Sequence, residues 1–210
     1  MTETPEVGHG EGQILFVVSG PSGSGKETVM SAMVKRLPGL TRVITYTTRS
    51  PRRGEVRGRH YHFVTADEFE SLLRRGDLFE SETVYGSSRY GSPRWAVDGT
   101  PSGDLIMELD PNGYLRMRQA RKAPTVGLFL LVPDAQELKK RITKRSTEAD
   151  LDRRLAIARE QLRAATAYDY LVVNDVRETC LREVAAIITA ERVRTRGPQQ
   201  LHRIRGEFGT

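Results

Sequence analysis

The chain holds a single cysteine, Cys180, among 210 residues. One cysteine excludes an internal disulfide, and four scattered histidines beside it offer no structural zinc site. No stretch approaches the roughly eighteen consecutive apolar residues of a membrane span. The opening residues, Met1 to Gly12, lack the basic start and apolar run of a secretory signal, so a cytoplasmic location is expected. Lysine is scarce. It occurs at six positions, so 27 of the 33 basic residues are arginine. Those arginines are dispersed and no aromatic residues alternate with them; only Arg192 to Arg205 forms a basic cluster. A nucleic-acid partner is therefore not expected. The net charge of +6 has two remaining readings: phosphate binding, which the planar arginine fork suits, or the composition of a GC-rich genome.

What is present is ordinary globular composition, with 38% apolar and 29% charged residues. That allows one core with small appended subdomains. Ile14 to Ser19 is a short, β-branched apolar run, the pattern of a parallel strand buried on both faces. Glu27 to Leu37 has helical spacing, with Val29, Met33 and Leu37 on one face, and Pro38-Gly39 stops it. Strand, glycine loop and helix in that order open a doubly wound α/β domain. Further strands are expected at 43–48, 61–64, 79–84, 105–109, 126–132 and 171–173. Helices are expected at 66–74, 111–121, 133–145, 152–167 and 177–194. Arg49 to Arg59 reads as a loop, Gly86 to Gly91 as a turn, and the residues before about 12 and after about 195 as loose tails.

The loop between the first strand and helix is Gly20-Pro21-Ser22-Gly23-Ser24-Gly25-Lys26. Its glycines let the backbone curl so that several N–H groups point at phosphate oxygens. The helix N-terminus adds partial positive charge, and Lys26 reaches the β- and γ-phosphates. A Ser or Thr hydroxyl usually follows the lysine and helps hold Mg²⁺. Here Glu27 follows, and then Thr28. A carboxylate ~6 Å from a phosphate charge costs roughly 3 kcal/mol at an effective dielectric near 20. Glu27 is the departure that the structure has to explain.

The segment Thr47-Thr48-Arg49-Ser50-Pro51-Arg52-Arg53-Gly54-Glu55-x-x-Gly58-x-x-Tyr61-x-Phe63 resembles the signature of the guanylate kinase family. The phosphate loop, this signature, Tyr90-Gly91, Glu108-Leu109-Asp110 and Val173-Asn174-Asp175 follow in the family's order, so the resemblance covers roughly residues 13–194. It implies an α/β, three-layer P-loop NTPase fold with a parallel core sheet, an inserted acceptor-binding subdomain of mixed strands, and a helical lid. The implied layout is a flexible 1–12 and a kinase-like domain over 13–195. Within that domain lie a core (13–44, 99–138, 156–195), a GMP-binding subdomain (45–98) and a lid (139–155). A basic tail (196–210) follows.

The implied activity is transfer of the γ-phosphoryl of ATP to GMP or dGMP, with Mg²⁺ accompanying ATP and held mainly by phosphates and water. By the same resemblance Arg49, Arg52, Tyr61 and Tyr90 grip the acceptor phosphate, which suits bidentate, permanently charged donors completed by phenols. Thr45, Glu80 and Asp110 read guanine, with Ser92 adding a hydroxyl. Carboxylates are acceptors, matching the N1–H and amino donors of guanine, whereas adenine N1 would leave one unpaired. Sites of this type discriminate by ~10⁴–10⁵. Arg141, Arg145 and Arg154 match the lid arginines, which with Lys26 act on the transferring group, and Asn174 would lie near the adenine of ATP. Arg89, inserted beside Tyr90, departs from the family pattern. ATP and GMP are the expected partners, no membrane is, and self-association is left open. Two other readings share the fold: a specialised kinase for another monophosphate or phosphosugar, and a non-catalytic binding module.

Overall fold

The computed structural model describes residues 13–52, 54–84, 88–99, 103–144 and 148–208. The expected flexible N-terminus, residues 1–12, lies outside them. The first strand, β1 (Leu15–Ser19), is buried along its whole length. It is followed by α1 (Lys26–Arg36), β2 (Leu40–Arg42), β3 (Tyr46–Thr47), β4 (His62–Phe63), α2 (Ala66–Arg74), β5 (Leu78–Val84) and β6 (Ser88–Pro93). Then come α3 (Trp95–Asp98), β7 (Asp104–Glu108), α4 (Pro111–Ala120), β8 (Thr125–Leu131) and α5 (Ala135–Thr143). The chain ends with α6 (Glu148–Arg163), a 3₁₀ turn (Ala164–Ala167), β9 (Tyr170–Val173) and α7 (Arg177–Phe208).

Five strands form a parallel sheet in the order β2-β7-β1-β8-β9. Side chains alternate across a strand, so β1 sends Phe16 and Val18 to one face and Leu15 and Val17 to the other. The first face packs on Met30 and Met33 of α1 and on Leu181, Val184 and Ile188 of α7. The second packs on Tyr114 and Met117 of α4 and on Tyr168. Both faces are thus covered, which is why the strands read as unbroken apolar runs. The layers close tightly at Gly127, where any Cβ would strike the Tyr114 ring. Cys180 belongs to this core, and burial pushes its thiol up to about 11, so it is an inert packing residue.

A second, four-stranded sheet has the order β4-β3-β6-β5, with β3 parallel to β4 and antiparallel to β6. It falls within the segment expected to form the acceptor subdomain. Leu138, Ile142 and Ala158 make a separate small core between α5 and α6. Among the described residues no helix is long and apolar enough to cross a membrane.

Four expectations are corrected. The strand expected at 43–48 shrinks to the two residues of β3, Tyr46–Thr47, in the second sheet; the core strand beside it, β2, lies earlier at Leu40–Arg42, and 43–45 cross between the sheets. The run Val43 to Thr48, β-branched except for Tyr46, carries no mark of that crossing. Of the turn expected at 86–91, Gly86 and Ser87 lie outside the described residues and 88–91 are strand: Ser88–Pro93 pairs with both β3 and β5. Gly91 is small there because a Cβ would strike Leu78 and Phe69. The helix expected at 152–167 begins at Glu148 and tightens into 3₁₀ geometry after Arg163.

The basic tail expected at 196–210 is not loose over its described part, because α7 runs on to Phe208 with Pro198 inside it. Its anchor is Asp104, a carboxylate with no exposed surface at the start of β7. Asp104 accepts from the backbone N–H of Ile14 (3.0 Å), from Nε of Arg192 (2.7 Å) and from Nη2 of Arg196 (2.9 and 2.8 Å).

Removing one partner of a buried pair leaves the other's charge uncompensated. Asp104→Ala is therefore expected to lower stability by about 3 kcal/mol in denaturant melts. Glu207→Ala, which breaks only an exposed pair with Arg203, should stay within about 0.5 kcal/mol of wild type.

Candidate active site

The carboxyl ends of β1 and β7 face the second sheet across a cleft of about 430 Å³. Gly20, Ser22, Gly23, Gly25, Lys26, Glu27 and Thr28 line one end. Gly20, Gly23 and Gly25 all have positive φ, which lets the loop wrap inward. Helices α2, α4 and α5 each have a side chain capping their first turn, from Thr65, Asp110 and Asp134. Helix α1 is entered through Gly25 with no side-chain cap, so its first N–H groups stay available to an anion. Lys26 Nζ donates to the carbonyls of Gly20 (2.7 Å) and Pro21 (3.1 Å) and lies 3.5 Å from Glu108. Ser24 is buried with its hydroxyl unpartnered, and its carbonyl accepts from Asn174 Nδ2 at 2.7 Å. Asn174 is thus packed on the outside of the loop.

Glu27 is explained by a residue the sequence reading did not single out. Arg42, at the end of β2, donates to both Glu27 oxygens (2.7 and 2.6 Å), and Ser31 donates to one of them. Burial alone would raise the Glu27 pKa, but the bonds from Arg42 and Ser31 outweigh it and hold it below the usual range. The carboxylate is neutralised by its own arginine instead of opposing a phosphate. His60 Nε2, from the second sheet's side, stands 3.9 Å away.

The other end of the cleft is lined by Thr45, Arg49, Arg52, Tyr61, Glu80, Tyr90, Ser92 and Asp110. Arg49 is prearranged. Its fork donates to both oxygens of Glu55 (2.8 and 3.0 Å), its Nε donates to the Tyr90 hydroxyl (3.2 Å), and its guanidinium sits 5.4 Å from the Tyr61 ring centre. Burial works against the Arg49 charge, but Glu55 and Tyr90 prevail and raise its pKa. Glu55 also accepts from the backbone N–H of Arg52 at 2.7 Å, so one carboxylate shapes the whole arginine loop. The charge of Glu108, followed by burial, holds the Tyr61 phenol well above its usual range, so it stays a donor.

Glu80 accepts from the Ser92 hydroxyl (2.9 Å) and from Arg116 (2.8 Å). Asp110 caps α4 by accepting from the Gly113 N–H, and burial raises its pKa above the ordinary 3.8. Arg89 points away from the cleft, because alternation along β6 sends it toward Glu70 and the Phe69 ring while Tyr90 faces inward.

Arg154 and Gln161 of α6 reach the cleft wall. Arg141 donates to Glu137 (2.7 Å) and to the Asn174 carbonyl (3.1 Å), and its Cβ lies against Gly23. Arg145 lies outside the described residues. The structure therefore brings the two expected groups together in one cleft, with Pro21, Ser24, Arg141 and Asn174 behind its wall. The sequence reading gave no role to Arg42, Glu55, Glu82, Glu108 or Arg116. Glu55 and Glu108 stood within quoted motifs; the other three carried no local signal.

A phosphate loop and a second anion-binding end facing it across one cleft define a P-loop nucleoside-monophosphate kinase. The comparisons with known proteins refine this. The guanylate kinase family model matches residues 13–191. The guanylate kinase of Xanthomonas axonopodis pv. citri is 37% identical over 193 residues, covering 90% of this chain and 94% of that protein. That of Geobacter metallireducens is 35% identical, covering 87% and 91%. The crystal structure of guanylate kinase from Anaplasma phagocytophilum superposes with a TM-score of 0.71 at 25% identity, covering 88% of each chain. The chain belongs to the guanylate kinase family.

If Arg42 neutralises Glu27, Arg42→Gln exposes a carboxylate beside the donor phosphates. The Michaelis constant for ATP is then expected to rise about tenfold. The double variant Glu27→Gln with Arg42→Gln should return it to near the wild-type value in steady-state kinetics.

Proposed function

We propose that the chain transfers the γ-phosphoryl group of ATP to GMP, or to dGMP, releasing ADP and GDP in the cytoplasm. The observation that carries this reading is the single cleft with an uncapped helix N-terminus and Lys26 at one end and a prearranged arginine–tyrosine cradle at the other. Family membership supports the same reaction.

Phosphoryl transfer has a loose transition state, so the work is positioning and neutralisation. In this reading the loop N–H groups and Lys26 hold the donor phosphates, while Asn174 fixes the loop from behind and borders the adenine. Arg49, Arg52, Tyr61 and Tyr90 hold the acceptor phosphate in line with the donor. That phosphate is already an anion, so no general base is required. Thr45, Glu80, Ser92 and Asp110 accept from and orient guanine. The segment 139–155 acts as the lid, with Arg141, Arg145 and Arg154 supplying charge on closure over the 45–98 subdomain and water excluded.

Among the described residues no cluster of three metal-ligating side chains occurs, and Glu27 is committed to Arg42. This donor set fits an Mg²⁺ that would come with ATP and be held mostly by phosphates and water, with Glu108, beside Lys26, the cleft carboxylate that would order its water. Bound there, Mg²⁺ would offset charge on the transferring group.

The test is Mg-dependent ADP release from ATP against GMP, dGMP, AMP, CMP, UMP and no acceptor. Turnover is expected with GMP and dGMP alone; equal turnover with AMP would sink the base assignment. Lys26→Ala should lower kcat by about 10³-fold or more while leaving GMP affinity within about twofold. A kcat near that of wild type would remove Lys26 from its assigned role.

A further inference from the structure

Glu80 and Glu82 stand two residues apart on β5, so they leave the strand on the same face. Both line the cleft. Asp110, at the N-terminus of α4, brings a third carboxylate to the same end. Guanine presents its N1–H and amino group to acceptors, but carboxylates that line the same end of a cleft repel one another. Without a counter-charge such carboxylates turn away from one another, and an acceptor turned away no longer meets the donors of the base.

The counter-charge comes from outside the cleft wall. Arg116, on α4, reaches across to the second sheet, where Nη2 donates to Oε2 of Glu80 at 2.8 Å and also to Oε2 of Glu82. Both carboxylates are largely shielded, at 11% and 26% side-chain exposure, while the Arg116 side chain is 42% exposed, so a solvent-facing cation holds two shielded anions. The Nε of Arg116 is buried without a hydrogen-bond partner, so the guanidinium sits where the carboxylates hold it and not where all its donors would be met. On the far side, Oε1 of Glu80 accepts from Ser92. Glu80 is thus clamped between a cation behind it and a hydroxyl on β6, while Asn112 of α4 also approaches Glu82 at 3.4 Å.

We propose that Arg116 is the positioning residue for base selection: by bridging Glu80 and Glu82 it holds Glu80 in place and aimed at the base, and so sets the preference for guanine. The proposal rests on the reading of Glu80 as a guanine contact. Arg116 does not touch the substrate; it acts through Glu80. Glu82 is the source of the repulsion that Arg116 cancels, so removing the Glu82 charge should make Arg116 dispensable. The same bridge ties α4 of the core to β5 of the acceptor sheet, so base reading and the relative placement of the two sheets depend on one side chain.

The experiment uses the full chain with Mg-ATP and measures kcat and KM for GMP, IMP and AMP, together with thermal melts. Arg116→Gln is expected to raise KM for GMP by about 10–50-fold with kcat at saturation within about threefold. The ratio of kcat/KM for GMP over that for AMP should fall about tenfold or more. IMP, which keeps N1–H but lacks the amino group, shows which donor the clamp serves. Loss confined to GMP means the amino group and equal loss for IMP means N1–H, and either supports the clamp. Adding Glu82→Gln to Arg116→Gln should recover most of the GMP affinity, a non-additivity expected only of coupled groups. Arg116→Lys should keep part of it.

Unchanged KM and selectivity in Arg116→Gln would overturn the proposal. So would an equal loss for all three acceptors that Glu82→Gln does not rescue, since that is the signature of a purely structural contact. Glu80→Gln separates the two levels. If it leaves GMP affinity intact, the base contact itself is wrong; if it weakens GMP while Arg116→Gln does not, only the role of Arg116 falls.

Discussion

The catalytic end of this molecule depends on where β1 stops. Because β1 is buried on both faces by α1, α7, α4 and their neighbours, its position in the sheet is not adjustable. The glycine loop that follows must turn within a few residues to start α1, and only positive φ values allow that turn. The loop is then secured from three sides. Ser19 donates to the Leu109 carbonyl at the end of β7, Lys26 folds back on the loop's own carbonyls, and Asn174 donates to Ser24. A cradle of N–H groups therefore exists before any phosphate arrives, which lowers the ordering cost of binding.

The excess of arginine acquires a physical meaning once its partners are known. An anion site made only of cations would repel itself and collapse outward. Here the cleft arginine Arg49 is set against Glu55, and Glu27 and the pair Glu80 and Glu82 are set against Arg42 and Arg116. The same device operates far from the cleft, where Asp104 gathers Arg192 and Arg196 and docks the last helix. Charge pairs in this protein set geometry; in each of these at least one partner is largely shielded from solvent, and that, not their number, makes them matter.

Periodicity and punctuation carried most of the core. β1, α1, α2, β7, α4, β8 and β9 all fall close to where apolar runs, caps and stop signals put them. The small sheet was harder to read because strands of two or three residues, such as β3 and β4, are shorter than any periodic signal. β6 contains Ser, Gly and Pro, which mark turns in isolation, yet it is held as a strand by neighbours on both sides. The extension of α7 was illegible for the same reason. Gly197 and Pro198 argue for a stop, and the anchor that favours continuation, Asp104, lies 88 residues from Arg192 in sequence.

The sequence by itself determined the chemistry on offer. The glycine loop between strand and helix offers a phosphate site at a helix N-terminus, and the resemblance carried by the arginine–tyrosine and carboxylate motifs implies a second phosphate site beside acceptors for a base. It could do so because each motif is local, and its spacing is a property of a few consecutive residues. Only the tertiary structure decided which charges are free to do that chemistry. Glu27 is paired because Arg42 arrives from β2. Arg49 is oriented because Glu55 and Tyr90 meet it. Glu80 is clamped because Arg116 crosses from the core to the second sheet. Coulombic and hydrogen-bond partners are chosen by distance in space, and at these ranges a shift of a few ångströms separates a paired charge from an opposing one.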